Sequence, residues 1–180
     1  MRYSGNVGLV SNECIIIDGY NVIHAWNDLL DLENNTLEHC REKFLEIISS
    51  YQGYKKIKVI VVFDAYNIKS KKVSISKYDN IEVVFTKEEQ KADNYIERMV
   101  ADEEEHLKFK VVTSDYLEQT MVLRLGGVRV TPNELKNEIK ELKKSAKNYS
   151  KETKLHSNTI MSNIDEDMMK KLDKYRKKDY

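Results

Sequence analysis

The stretch Cys14-Ile15-Ile16-Ile17-Asp18-Gly19-Tyr20-Asn21 decides how the rest of the chain is read. Its first four residues are apolar and mostly β-branched, as in a strand covered on both faces, and the run stops at an acidic residue and a glycine. Working outward, the pattern returns twice. Residues 57–63 are apolar but for Lys58 and stop at Asp64; residues 109–112 stop at Thr113-Ser114-Asp115. Residues 81–85 and 128–130 are two further strand candidates. Between these runs, apolar residues recur at helical spacing. Leu37, Cys40, Phe44, Leu45 and Ile48 follow a cap at Asn35 or Thr36, and Ile96, Met99 and Val100 share one side of a helix over 92–105. A helix over 116–125 is closed by Gly126-Gly127, and Pro132 suits the first turn of the next. Doubly covered strands separated by helices predict an α/β fold: a three-layer α/β/α sandwich around a central, mainly parallel five-stranded sheet.

The segment between the second and third strands, 66–80, is polar and Lys-rich with Val73 and Ile75 in alternation, and reads as an exposed arm or small hairpin. Composition suggests three parts: an N-terminal extension over 1–13, a domain over 14–147, and a basic linker with a C-terminal helix over 148–180 packing on the domain. Residues 148–163 are rich in Ser, Thr, Asn and Lys, which reads as a linker. Helical spacing resumes through Met168, Met169, Leu172 and Tyr175. The chain holds 30 basic and 30 acidic side chains, but unevenly: residues 1–133 carry a net −4 and residues 134–180 a net +4. An acidic body with a basic tail argues against a uniformly basic nucleic-acid coat. Two cysteines, Cys14 and Cys40, give neither a disulfide framework nor metal-ligand spacing. No run of about 18 apolar residues offers a membrane span and no signal-peptide core opens the chain, so a cytoplasmic protein without a membrane partner is expected.

The chemistry lies in the carboxylates. Asp18, Asp64 and Asp115 each end a strand, and in a parallel sheet the carboxyl ends form one rim where ligands bind. Asp93 stands near the start of a helix, with Glu97 on the same face at i,i+4. Any one of these residues reads equally well as a helix cap or turn residue, Asp115 above all. Several acids on one rim repel one another unless a cation sits among them, and hard ions such as Mg²⁺ prefer oxygen ligands. The chain has no phosphate loop of the Gly-x-x-x-x-Gly-Lys type and no Gly-x-Gly-x-x-Gly turn, so a nucleotide cofactor is not expected. Asp18-Gly19-Tyr20-Asn21 also lacks the paired aspartates of an aspartyl-phosphate phosphatase. Metal-assisted cleavage of a phosphodiester backbone fits best.

Four motifs together carry a family resemblance: Ile15-Ile16-Ile17-Asp18-Gly19-Tyr20-Asn21-Val22-Ile23, Val61-Val62-Phe63-Asp64-Ala65, the segment from Thr86 to Glu97, and Val111-Val112-Thr113-Ser114-Asp115. In this order they resemble the NYN domains, a branch of the PIN-like nucleases, and within them the YacP-like subgroup, over roughly residues 14–178. The resemblance implies an endoribonuclease dependent on Mg²⁺ or Mn²⁺, acting on mRNA at the ribosomal A site. It implies Asp18, Asp64, Asp93 and Asp115 as catalytic metal ligands. Asn21 is then expected to orient Asp18 or contact phosphate, Glu97 to support the metal, and Ser114 to hydrogen-bond a ligand carboxylate. The 13 residues ahead of the first strand exceed the start expected for the family.

For substrate contacts, Tyr20 is the aromatic best placed to stack on an RNA base. Tyr66 is near the same rim; Trp26 reads equally as packing, His24 as a structural histidine and Glu88-Glu89 as solvated loop. Lys69, Lys71, Lys72 and Lys77 on the arm, with Lys140, Lys143, Lys144, Lys147, Lys151 and Lys154 later, are the candidates for phosphate contact, with ribosomal RNA as the partner. The alternative is a non-catalytic RNA- or ribosome-binding module that keeps the acidic pocket. A response-regulator-like domain would need an acceptor Asp after the third strand, which is followed by Thr86 instead.

Overall fold

A computed structural model describes residues 12–64, 72–88, 90–102 and 108–162, with side chains to residue 149. Along the chain run β1 (Glu13–Asp18), α1 (Gly19–Ala25), α2 (Asn27–Leu30), α3 (Leu37–Lys55), β2 (Lys58–Phe63), β3 (Ser74–Tyr78), β4 (Ile81–Phe85), α4 (Ala92–Asp102), β5 (Lys108–Val112), α5 (Tyr116–Arg124), β6 (Val128–Val130) and α6 (Pro132–Ser162). They fall into two compact units, one ending at Ile139 and one beginning at Lys140. The first holds the whole sheet.

That sheet has six strands in the order β3-β4-β2-β1-β5-β6, not five. The additional strand comes from the arm: β3 pairs antiparallel with β4, while every other pairing is parallel. The small hairpin expected from Val73 and Ile75 takes this form, with β3 as an edge strand that has four of its five residues exposed. A turn at Asp79-Asn80 closes the hairpin, Asp79 in the left-handed region (φ 49°). Ser49 of α3 donates to the side chains of Asp79 and Asn80 at 3.1 and 2.7 Å and ties the hairpin to the body. The remaining part of the arm, 65–71, lies outside the described residues.

Strand alternation sorts the core into two layers. Cys14 and Ile16 of β1, Ile60 and Val62 of β2, Val84 of β4 and Val111 of β5 face Ala92, Ile96 and Val100 of α4 and Val122 of α5. On the other face Phe63 meets Phe44 of α3 at 6.4 Å, and Phe44 meets Trp26 at 5.6 Å. Trp26 is wholly buried and its indole N–H donates to the Pro132 carbonyl at 2.9 Å, so it is a packing residue. Thr36 is the cap of α3, its hydroxyl accepting from His39 N–H. Gly126, with φ 78°, supplies the left-handed residue that turns α5 into β6. α6 opens on a capping box in which Glu134 accepts from Thr131 N–H at 2.7 Å and donates its own N–H to the Thr131 hydroxyl.

The stretch 148–162, expected as a linker from its composition, is helical and continues α6 to Ser162. Its Lys, Glu and Leu residues are adequate helix formers, and nothing between Pro132 and Ser162 breaks the run. The C-terminal helix expected over 165–178, and its docking on the domain, lie outside the described residues, as does the extension up to Ser11.

Candidate metal centre

Asp18 is the last residue of β1 and also the N-cap of α1, its carboxylate accepting from Asn21 N–H at 3.1 Å. Following Cys14 and Ile16 by strand alternation, it points to the face covered by α4 and α5. Gly19 permits the tight entry to α1, since a Cβ there would collide with the ring of Phe63. Only 8% of Asp18 is exposed. Burial pushes its carboxyl up to about 7, opposed by the Asn21 N–H and reinforced by Asp93, Asp64 and Asp115.

Glu118, which the motifs do not single out, completes the centre. It sits three residues after Asp115, where a capping box would place a glutamate that reaches back to the cap's N–H. Only half of that box forms. Asp115 accepts from Leu117 and Glu118 N–H at 2.7 and 3.2 Å, but its own N–H goes to the Thr113 hydroxyl at 3.0 Å. The Glu118 carboxylate is thereby released inward, on the same helix face as buried Val122. It is 4% exposed, and neither of its oxygens has a partner at ordinary hydrogen-bond geometry among the described residues. Burial pushes Glu118 up to about 8; the nearby Thr113 hydroxyl opposes the rise, and Asp18, Asp93 and Asp115 add to it.

Asp93, in the first turn of α4, is the third member. Single carboxylate oxygens of Asp18, Asp93 and Glu118 lie within 4.8 Å of one another. Asp93 is also pushed up, first by burial and then by Asp115 and Asp64, with Lys91 opposing. Three converging carboxylate oxygens, those of Asp18 and Glu118 on buried residues, are a donor set that suits a hard divalent ion. The residues present therefore fit such an ion.

Asp64 and Asp115 lie outside that set of three, though both act on its charges. Asp64 accepts from Ala92 N–H at the start of α4, and Asp115 is the cap of α5. Capping does not disqualify either, because a carboxylate has lone pairs to spare. Glu97 is exposed and lines, with Asp93, Asp115 and Glu118, a cleft of about 400 Å³ between α4 and α5.

The Asn21 backbone N–H reaches the Asp18 carboxylate, while its side chain is engaged by Ser114. The Asn21 Oδ1 accepts from Ser114 N–H at 2.8 Å and from its hydroxyl at 2.7 Å. This clamp fastens the loop after β5 to the start of α1, and so holds Asp115 and Asp18 at one rim. Tyr20 is half-buried, its ring 4.9 Å from that of Phe63 and its hydroxyl accepting from Arg41 at 3.5 Å. His24 is exposed on α1, and Glu88 is exposed in the turn before α4. Lys72, Lys77, Lys140, Lys143, Lys144 and Lys147 are exposed. Lys69, Lys71, Tyr66, Glu89 and the side chains of Lys151 and Lys154 lie outside the described residues.

Residues 15–177 match the YacP-like NYN domain. The protein YacP of Bacillus subtilis (strain 168) is 31% identical over 168 residues, covering 93% of this chain and 98% of that protein. Two crystal structures of Rae1 (YacP) from the same organism are similar to it, each with a TM-score of 0.65. One, of a single-substitution variant, shares 32% identity over 78% of this chain and 82% of its own. The other shares 30% identity over 92% and 95%.

Proposed function

The chain belongs to the YacP-like NYN domain family, and from that premise we propose that it is a metal-dependent endoribonuclease that cuts mRNA on the translating ribosome, at the A site. The observation that carries the reading is Glu118: a buried carboxylate with no partner at ordinary hydrogen-bond geometry among the described residues, one of its oxygens within 4.8 Å of oxygens of Asp18 and Asp93. Burying a charge unpaired is costly, and a divalent cation removes the cost while leaving the three acids in place. Asp18, Asp93 and Glu118 hold the ion, with Asp64 and Asp115 adding negative charge around it. When bound, Mg²⁺ or Mn²⁺ supplies an activated water and neutralises charge on the scissile phosphate. The chain's own residues do the positioning. The Asn21–Ser114 clamp fixes the spacing of β1 and β5 at the rim, and the Thr113 hydroxyl holds the Asp115 N–H. Tyr20 offers an aromatic edge for a base.

Substrate retention falls to basic residues that are not part of the acidic cluster. Lys72 and Lys77 of the arm, with Lys69 and Lys71 beside them in sequence, and the lysines of α6 from Lys140 onward suit phosphate groups of ribosomal RNA. No helix among the described residues is long and apolar enough to cross a membrane. The second reading, an RNA- or ribosome-binding module, draws on the helix-capping roles of Asp18, Asp64 and Asp115, which a non-catalytic domain would retain for stability. One experiment separates the two. Purified protein with Mn²⁺ and translating ribosomes is expected to cut mRNA, and Asp18→Asn to abolish cutting while still sedimenting with ribosomes. Intact mRNA with the parent protein would transfer the case to the binding module. Replacing Lys69, Lys71, Lys72 and Lys77 with Glu is expected to end co-sedimentation; unchanged sedimentation removes the arm from the scheme.

A further inference from the structure

We propose that the cleft between α4 and α5 is a nucleotide subsite beside the metal centre, in which Arg124 takes a backbone phosphate and Leu117, Met121 and Leu125 take the adjoining base. The identity of the polymer as RNA rests on the nuclease reading above. Residues 117, 121, 124 and 125 fall on one face of α5 by helical spacing, and all four line the cleft. Its volume of about 400 Å³ lies within the range of small-ligand pockets, about 300–1,000 Å³. Two of the apolar residues are strongly solvent-exposed, Leu117 at 78% and Leu125 at 41%, so the cleft offers an uncovered apolar wall next to charged groups.

Among the described residues Arg124 is the one cation lining a cleft that also holds Asp93, Glu97, Asp115 and Glu118. Despite those neighbours it makes no ion pair or hydrogen bond among the described residues. A polyanion entering a wall of carboxylates needs positive charge in place, and a free guanidinium can grip a phosphate through two parallel hydrogen bonds. The apolar wall on the same helix face then meets the base attached to that phosphate. An anionic group at one end and a flat apolar group at the other is the chemistry of a nucleotide.

The test uses the full chain, Mn²⁺ and a fluorescein-labelled ten-nucleotide phosphorothioate RNA, read by anisotropy across a salt series. Arg124→Ala is expected to weaken binding roughly tenfold and to lower the slope of log Kd against log salt by about 0.7, the loss of one phosphate contact. Arg124→Lys restores the slope and only part of the affinity, because an ammonium lacks the fork. Leu117→Ser, at an exposed position, weakens binding severalfold with the slope unchanged. Unaltered affinity and slope in Arg124→Ala overturn the subsite. Cleavage of ordinary RNA by the parent protein is scored separately. If the parent binds without cutting and Arg124→Ala binds more weakly, the nuclease reading fails and the subsite stands. If the parent cuts and Arg124→Ala matches it in affinity, slope and KM, the subsite alone fails. A parent that neither binds nor cuts overturns both.

Discussion

The inner and outer parts of the acidic rim carry the same functional group in different circumstances. Asp18 and Glu118 are 8% and 4% exposed, and burial drives their carboxyls up to about 7 and about 8. Asp115 is exposed and spends one oxygen on two backbone N–H groups, and half-buried Asp64 serves the first residue of α4. The outer acids shape helices and are matched by the backbone. The inner acids are held close together with too few donors, which stores a repulsion that a cation can relieve. Asp18 caps a helix as well, so what sets the inner acids apart at this rim is their burial.

The sharpest way to break the comparison is to neutralise one acid from each part. Glu118→Gln is expected to lower Mn²⁺-dependent RNA cleavage by about a thousandfold and to weaken Mn²⁺ binding, measured by calorimetry. Thermal melting of the metal-free protein at pH 8 should rise by about 2–4 °C, because a buried charge has gone. Cleavage at the parent rate would remove Glu118 from the centre. Asp115 separates charge from capping. Asp115→Asn keeps a good N-cap and should lose cleavage with little change in melting, whereas Asp115→Ala should lose cleavage and also about 1 kcal/mol of stability in denaturant titration. Full activity in Asp115→Asn would confine that residue to the helix.

A pH series sharpens the same contrast. The folded values of Asp18 and Glu118 lie above their ordinary 3.8 and 4.5, so the folded chain holds protons that the unfolded chain has released. Their stabilising contribution is complete below pH 3.8 and is lost as pH rises through about 7 for Asp18 and about 8 for Glu118. Metal-free stability should therefore fall between about pH 5 and pH 8, with a shallower fall in Asp18→Asn, read from denaturant midpoints. Mn²⁺ should reverse the trend, since binding expels those protons. Calorimetry in buffers of different ionisation enthalpy should find proton release larger at pH 6.5 than at pH 9. The smallest effect belongs to the clamp: Asn21→Ala should cost about 1 kcal/mol, because the two hydrogen bonds it breaks are at an exposed position. Stability equal to the parent would show that Ser114 holds its loop unaided.

Much of the rim was readable in advance because strand ends announce themselves. Asp18, Asp64 and Asp115 follow apolar runs directly, and the parallel sheet puts those ends on one side. Glu118 was not readable, since Asp115-Tyr116-Leu117-Glu118 has the spacing of a capping box, whereas in the fold the Asp115 N–H is taken by the Thr113 hydroxyl. Edge strand β3 was legible only as part of a possible hairpin, from the alternation of Val73 and Ile75, because an edge strand exposed on most of its length has no continuous apolar run. The helix through 148–162 was masked by composition, which reports solvation more faithfully than backbone conformation.

Local chemistry along the chain, namely apolar runs, helical spacing and punctuation by Asp and Gly, determined the α/β class, the five parallel strands β1, β2, β4, β5 and β6, and the acids at strand ends. Long-range packing decided the rest: the sixth strand, the clamp between Asn21 and Ser114, and the choice of Glu118 over its neighbours as the carboxylate turned inward. The reason is that strand and helix periods are set by adjacent residues, whereas burial and the supply of hydrogen-bond donors are set by residues distant in sequence.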